Sequence, residues 1–128
     1  MMPVEHHFII VEDEGDFRLL LRRMLSRCCA FAKIFEATTG QEACKIYESQ
    51  GASLMIIEHH QPHLDGLCLV RFLRSQNITI PLILTSDNPQ IGALAAAAGA
   101  TCFVEKNRLF DSLENLLPQL LEQKASRV

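Results

Sequence analysis

Apolar residues recur along the chain in five short runs, each rich in β-branched or aromatic side chains. Runs of this length and composition predict β-strands. They cover residues 8–11, 32–35, 54–57, 81–84 and 101–104. In the longer segments between them the apolar residues follow helical spacing instead. The chain therefore alternates predicted strands with predicted helices.

The clearest helical stripe lies in the first of these longer segments. Its apolar residues fall at i, i+3, i+4, i+7 and i+8, which places them on one face of an amphipathic helix. They are Phe17, Leu20, Leu21, Met24 and Leu25. Leu69, Phe72 and Leu73 mark the third helix in the same way, and leucines between positions 109 and 121 line the fifth.

Local signals indicate where several helices begin and end. Thr39 and Glu42 have the spacing of a capping box at the start of the second helix. Asn88-Pro89 opens the fourth helix, and Gly99 can close it. Pro118 should kink the fifth helix or end its regular hydrogen bonding early.

Strict alternation of strands and helices predicts an α/β fold. Because each crossover helix packs back onto the sheet, the strands should be parallel, with helices on both faces. The flavodoxin-like order 2-1-3-4-5 is the natural arrangement for five such units. We expect a single domain over residues 1–128, with its core at about residues 7–121.

Composition narrows the partners of such a domain. A net charge of −3 gives no general attraction to nucleic acid or anionic lipid. No apolar run approaches the roughly 20 residues that span a bilayer, and the amino terminus lacks the layout of a signal peptide. The five cysteines form no CxxC pair and stand in apolar stretches, so we expect buried free thiols. These features predict a cytoplasmic protein that binds neither nucleic acid nor membrane.

Polar side chains follow four of the predicted strands. In a sheet of this order, ligands bind beyond the carboxyl ends of the strands. The residues at those ends are Glu12-Asp13-Glu14, Glu58-His59-His60-Gln61-Pro62, Thr85-Ser86-Asp87 and Glu105-Lys106. Carboxylates that converge with a hydroxyl and an ammonium group suit a hard divalent cation and a phosphoryl group. Glu14 or Asp16 is expected to cap the first helix as well.

These residues resemble the receiver domains of two-component response regulators, from Ile9 to about Leu121. Glu12-Asp13 is similar to the acidic pair of that family, and Thr85 to its switch hydroxyl. The segment 58–66 resembles its signature of aspartate, three variable residues, proline, two variable residues and Asp-Gly. Phe103 and Lys106 resemble its aromatic switch and its phosphoryl-contacting lysine.

The resemblance implies a role for each of these positions. Mg²⁺ would be held, weakly, by the carboxylates of Glu12, Asp13 and Glu58 and by the backbone carbonyl of His60. Thr85 and Lys106 would contact a phosphoryl group, and Phe103 would report its presence. His60 and Asp87 would flank the pocket, where a contact between them could cover it.

Two positions depart from the family pattern. The phospho-accepting aspartate is replaced by Glu58, whose extra methylene moves the carboxylate outward by about 1.5 Å. A misplacement of about 1 Å can cost about 100-fold in rate, so ordinary phosphorylation is not expected. The displaced carboxylate could instead reach Thr85 or Lys106 and act as a partial mimic of the phosphorylated state. Asn107 replaces a proline that usually follows the lysine, so the aim of Lys106 could differ.

Simpler interpretations exist for several of these residues. Glu58 could be a structural partner of Lys106 without a signalling role, and Phe103 could be a core residue. His59, His60 and His63 with Asp65 look like a transition-metal cluster, but adjacent histidines rarely converge on one ion. We expect them to be solvated loop residues.

The sequence thus favours an atypical receiver module in phosphorelay signal transduction and not an enzyme. It would regulate a protein partner, such as a kinase or an output domain, through the surface of helix 4, strand 5 and helix 5. One alternative is a conventional phosphoacceptor that uses Glu58. The other is a metal-dependent phosphohydrolase on a similar sheet. The sequence specifies neither the partner nor an oligomeric state.

Overall fold

The computed structural model of the chain describes residues 5–60 and 63–125. Within these residues five parallel strands form one sheet in the order β2-β1-β3-β4-β5. The strands are β1 (His7–Val11), β2 (Lys33–Ala37), β3 (Leu54–Glu58), β4 (Leu82–Ser86) and β5 (Cys102–Glu105). This order confirms the predicted flavodoxin-like fold. The fold forms because strict alternation of strands and helices joins parallel strands through crossover helices, which cover both faces of the sheet.

Helices connect the strands and cover the sheet. They are α1 (Gly15–Cys28), α2 (Gly40–Gln50), α3 (Gly66–Ser75), α4 (Gly92–Ala98) and α5 (Leu109–Ala125). A short 3₁₀ turn, Pro89–Ile91, precedes α4, and another, Lys106–Arg108, precedes α5. None of the helices in residues 5–60 and 63–125 is long and apolar enough to cross a membrane.

Alternate residues of the strands point to two separate apolar cores. In β1, Phe8 and Ile10 pack towards α1 and α5, whereas Ile9 and Val11 pack towards α2, α3 and α4. All four side chains are fully buried. This double burial explains why the strands have apolar runs instead of simple alternation, since both faces of a covered parallel sheet exclude water.

The predicted helix ends are largely present. The Thr39 hydroxyl accepts from the Glu42 amide at 3.1 Å, and Gly99 closes α4 in a left-handed conformation with φ of 109°. The Asn88 side chain accepts from the amide of Gln90 ahead of α4. The return bond of the capping box differs from the prediction, because the Glu42 carboxylate accepts from the Thr38 hydroxyl at 2.6 Å.

Two expectations about burial were wrong, and so was the early end of α5 at Pro118, whereas a kink there stays a prediction. Leu20 and Phe72 are about half exposed, because they lie on the flanks of helices whose buried faces are centred elsewhere. Cys28 and Cys68 are exposed and the other cysteines half-buried, since apolar neighbours in sequence do not place a residue on the buried side of its helix. Pro118 does not end α5, which continues to Ala125; buried Leu117 and Leu120 anchor the helix on both sides of the proline.

Candidate functional site

The register of the sheet brings the strand-end side chains together. Glu58, the last residue of β3, pairs directly with Thr85 of β4, which in turn pairs with Val104 of β5. Glu12 follows β1 and Lys106 follows β5. Glu12, Glu58 and Thr85 are 1–2% exposed and Lys106 is 8% exposed. The carboxyl edge of the sheet therefore holds a buried polar cluster in an otherwise apolar interior.

A bidentate ion pair between Lys106 and Glu58 dominates this cluster. Lys106 Nζ donates to Glu58 Oε1 at 2.8 Å and to Glu58 Oε2 at 3.0 Å. Burial alone would lower the pKa of Lys106, but its bond to Glu58 and the charges of Glu12, Glu58 and Glu14 raise it above its usual value. Lys106 is therefore a cation in the folded protein, and it spans β4 to reach β3.

Residues at the start of α1 complete the surroundings of Lys106. Its Nζ lies 3.4 Å from Glu12 Oε1, 3.5 Å from Glu14 Oε2 and 4.3 Å from the centroid of the Phe17 ring. Glu14 stands at the N-cap position of α1, but its side chain makes no capping hydrogen bond. Of the two acidic residues expected at the start of α1, Asp16 lies in the first turn, where the helix dipole favours it. The Glu14 side chain instead reaches towards the ammonium group.

The carboxylates of Glu12, Asp13 and Glu58 form an acidic cluster that could hold a metal ion. They offer oxygen atoms that lie within 4.8 Å of one another. Glu12 Oε1 and Asp13 Oδ1 are buried and have no hydrogen-bond partner. Three carboxylate oxygens suit a hard divalent cation such as Mg²⁺, and unpartnered buried acceptors are the atoms that such an ion would satisfy. The donor set of this chain therefore fits the ion.

Glu12 differs from an ordinary surface carboxylate. Burial, the largest cause, and the nearby Glu58 carboxylate raise its pKa to about 9, although the amide of Glu14 and the charge of Lys106 act in the opposite direction. The Glu14 amide donates to Glu12 Oε2 at 3.1 Å. Glu12 accordingly holds a proton at neutral pH far more readily than a surface carboxylate does.

Thr85 has a hydroxyl that faces the cluster without engaging it. Its Oγ1 is buried and has no hydrogen-bond partner. The sequence predicted that Glu58 would bond to Thr85 or to Lys106, and the structure has the bond to Lys106. An unpaired buried hydroxyl costs about 1–3 kcal/mol, so Thr85 marks a position where a further acceptor or water would be stabilising.

The histidines after β3 do not form a metal centre. His59 is only 6% exposed, and its Nδ1 accepts from the Leu67 amide at 3.3 Å. The expectation of a solvated His59 was wrong, because its ring fixes the start of α3. His60 and His63 are exposed and their ring centroids lie 5.5 Å apart. Among residues 5–60 and 63–125, the group of His, Cys, Asp and Glu placed to hold an ion is the acidic cluster.

His60 contacts the acidic cluster from outside. Its Nδ1 lies 3.6 Å from Asp13 Oδ2, whereas Asp87 lines a neighbouring cavity of about 220 Å³ together with His60. The carboxylate nearest to the His60 ring is therefore that of Asp13 and not that of Asp87. The His60 carbonyl accepts from the Leu64 amide at 2.8 Å. The role of the His60 carbonyl as a metal ligand stays a prediction.

Comparison with known proteins shows which family has this fold. The profile of the response regulator receiver domain matches residues 8–117. The chain belongs to the response regulator receiver family. It is therefore a receiver domain of two-component phosphorelay signalling, and the acidic cluster at the carboxyl edge of its sheet could hold a metal ion.

Relatives of this receiver domain occur within much longer proteins. A protein-glutamate methylesterase/protein-glutamine glutaminase from Saccharophagus degradans is 30% identical over 77% of the chain, and the sensor protein EvgS from Escherichia coli is 30% identical over 93%. The matched segments span 28% and 10% of those two proteins.

Solved structures show the same architecture. The receiver domain of a histidine kinase from Syntrophus aciditrophicus has a TM-score of 0.80 at 25% identity and covers 92% of this chain and 91% of its own. NtrX from Brucella abortus has a TM-score of 0.83 at 24% identity and covers 97% of this chain and 28% of its own.

Phe103 of this receiver domain lies half-buried beside α4. It packs against the core of the α2, α3 and α4 face. A Cβ atom on Gly92 would come within 2.9 Å of Phe103 Cδ2, so the ring fits because position 92 has no side chain. Gly66 is constrained similarly, since a Cβ there would lie 2.6 Å from the Glu58 carbonyl oxygen. Both glycines permit close approaches that shape the edge of the pocket.

Proposed function

We propose that Glu58 stands at the phospho-acceptor position of this receiver domain and that the domain signals without being phosphorylated there. The observation that carries the proposal is the buried, bidentate pair of Glu58 and Lys106. In the family that the sequence resembles, the corresponding lysine contacts the phosphoryl group. Here the Glu58 carboxylate takes that place, so the charged partner of Lys106 is permanently present.

Phosphorylation of Glu58 is disfavoured by this arrangement. Both of its oxygens accept from Lys106, and the residue is 2% exposed. A nucleophile that is paired and enclosed must first leave Lys106, and a buried ion pair costs about 3–5 kcal/mol to break. The longer side chain adds a misplacement that costs about 100-fold in rate per ångström.

The partner surface of the proposal is the face formed by α4, β5 and α5. An open cleft of about 520 Å³ lies on this face. Its lining includes Pro89, Phe103, Glu105, Arg108 and Leu116. Phe103 belongs both to this cleft and to the core beside Gly92, which links the pocket edge to the surface. A protein partner, such as a kinase or an output domain, would bind there.

The pocket mimics a phosphorylated state only in part. Lys106 is engaged, but Thr85 Oγ1 is unpartnered. Any Mg²⁺ would be held by Glu12, Asp13 and Glu58 and would supply positive charge among these carboxylates. The membership of the chain in the receiver family favours signalling over the phosphohydrolase alternative.

A substitution that keeps the size of Glu58 and removes its charge tests the proposal. Glu58→Gln loses the charge-assisted bonds to Lys106, which are about twice as strong as neutral ones. We expect amide chemical shifts to change at Thr85 and Phe103 and along α4. Partner affinity should fall by about 5- to 30-fold, since a coupling of this kind is worth about 1–2 kcal/mol. Unchanged shifts at Phe103 and α4 in the folded variant would contradict a signalling role for the pair.

A further inference from the structure

Three sulfur-bearing side chains lie together where α1 ends. Met24 and Cys28 are four residues apart, so they lie on the same side of the helix, one turn from each other. The Cys28 thiol donates to Met24 Sδ at 3.8 Å, and Cys29 follows directly at the C-cap position. Because α1 begins beyond the carboxyl end of β1 and ends ahead of β2, this sulfur cluster lies at the amino edge of the sheet. It is therefore separate from the acidic pocket.

The two adjacent cysteines line the same cavity. Successive residues of an α-helix point about 100° apart, but Cys29 has left the helical conformation, with φ of −142° and ψ of 97°. Cys28 and Cys29 line an open cavity of about 310 Å³, whose lining also includes Glu114 and Leu117 of α5. Cys28 is exposed and Cys29 is half-buried, so a small solute can reach the cluster from solvent.

The chemistry of these groups selects a soft metal ion. Thiolates and thioethers favour Cu(I), whereas Mg²⁺ and Ca²⁺ take oxygen ligands. Zn²⁺ sites use thiolate, imidazole and carboxylate groups, and a thioether is not among them. With metal–sulfur bonds of about 2.3 Å, two sulfur ligands of one three- or four-coordinate ion lie about 3.8–4.0 Å apart. The Met24–Cys28 separation has this length, and the second thiol on the same cavity is a feature that simple packing of two sulfurs does not require.

A reactive thiol is the rival use of this cluster, and the surroundings oppose it. Burial, the largest cause, raises the pKa of the Cys28 thiol, and the nearby Glu114 and Cys29 act in the same direction. The charge of Arg27 acts in the opposite direction. Oxidation and disulfide exchange need the thiolate, which is scarce at neutral pH when the pKa is raised. A metal ion displaces the thiol proton when it binds, so the cluster suits a ligand role better than a nucleophilic one.

We propose that Met24, Cys28 and Cys29 form a site for Cu(I), in which two thiolates and one thioether bind a single ion. Binding releases the two thiol protons to solvent and leaves the copper and the sulfur atoms at their oxidation states. The ion and the two thiolates together carry one negative charge, and Arg27 lines the cavity beside them. The site goes beyond the proposed function, because neither Glu58 nor Lys106 takes part in it.

The direct test adds Cu(I) to the reduced protein without oxygen, in competition with a chromogenic chelator. We expect one tightly held ion. Cys28→Ser and Cys29→Ser should each weaken its binding at least about tenfold, since even the residues that support metal ligands are worth about 10- to 100-fold. Cys68→Ser is the matched control, because Cys68 is exposed on α3 and its replacement should leave the affinity unchanged. Unchanged affinity in Cys28→Ser or Cys29→Ser, or loss of binding in Cys68→Ser, would overturn the proposal.

A second measurement identifies the ligands in the unmodified protein. The methyl signal of the Met24 side chain should shift along the same binding curve as the Cys28 amide, and X-ray absorption at the copper edge should show sulfur neighbours. Met24→Leu keeps the volume of the side chain and should weaken the binding of Cu(I). A Met24 methyl signal that stays fixed at saturation, or Zn²⁺ bound more tightly than Cu(I), would also overturn the proposal.

Discussion

The two halves of the pocket are built from similar groups but are satisfied to different degrees. On one side, Glu58 and Lys106 saturate each other with two short bonds. On the other side, Glu12 Oε1, Asp13 Oδ1 and Thr85 Oγ1 are buried without hydrogen-bond partners. Both halves are buried at the carboxyl edge of the same sheet, so burial alone does not explain the difference. The difference arises because the Lys106 and Glu58 side chains are long enough to meet across β4.

This contrast indicates which half is fixed by folding and which is available for ligands. Buried polar groups are normally paired, and exceptions are concentrated where water, ions or substrates bind. The Glu58–Lys106 pair therefore stabilises the fold and fixes the charges in its half of the pocket. The unsatisfied half is the part of the pocket that can still respond to an added cation or acceptor.

Removing the Glu58–Lys106 ion pair should have the largest effect on stability. Lys106→Met leaves Glu58 buried without its partner, so we expect the free energy of unfolding to fall by about 3 kcal/mol. Chemical denaturation of this variant beside Lys45→Met, the matched control at an exposed lysine of α2, measures the difference. A loss below about 0.5 kcal/mol, the size usual for a surface substitution, would show that the pair contributes little.

Glu12 should make stability depend on pH. Its pKa is raised from 4.5 to about 9 in the folded protein, so between these values the folded state holds a proton that the unfolded state releases. The contribution of Glu12 to stability is therefore largest in acid and declines as pH rises from about 5 to about 9, by up to about 1.4 kcal/mol per pH unit.

The matched variant for this effect is Glu12→Gln, which is neutral at every pH. The stability difference between the unmodified protein and Glu12→Gln, measured in a chelator, should shrink and then reverse in favour of the variant as pH rises. A difference that stays constant over this range would mean that Glu12 is ionised throughout.

Changing the unsatisfied half should have the smallest effect. Thr85→Val removes a hydroxyl that has no partner and keeps the shape of the side chain. We expect stability to remain equal or to rise by up to about 1 kcal/mol. Thermal unfolding provides the measurement. A clear loss of stability would show that the hydroxyl is engaged in solution and that the two halves are equally satisfied.

The sequence predicted the fold, and it predicted that the strand-end polar side chains lie close together. Both follow from the periodicity of apolar residues along the chain. Apolar runs separated by helical stripes predict a parallel sheet, and the parallel direction of its strands brings Glu12, Glu58, Thr85 and Lys106 to one edge. The approach of Glu58 to Lys106 was foreseen from side-chain length and the placement of their strands.

Other features of the pocket depend on distances that periodicity does not specify. Glu14 and Phe17 join the surroundings of Lys106 because of how α1 begins, and no sequence motif distinguishes them from ordinary helix-start residues. The burial of His59 depends on its bond to the Leu67 amide. The exposure of Cys68 follows from the rotation of α3, whose buried residues, such as Leu69 and Leu73, lie on the other side of the helix.

The central claim is that the Glu58–Lys106 pair replaces phosphorylation. Intact-mass measurement after incubation with Mg²⁺ and a small phosphodonor tests it most directly, on the unmodified protein and on Glu58→Asp. The account predicts no added phosphoryl group on the unmodified protein, because Glu58 is buried and bound to Lys106 through both oxygens. Glu58→Asp should regain at least slow labelling, since the shorter side chain restores the in-line position. A hydroxylamine-sensitive gain of one phosphoryl group on Glu58 itself would contradict the account.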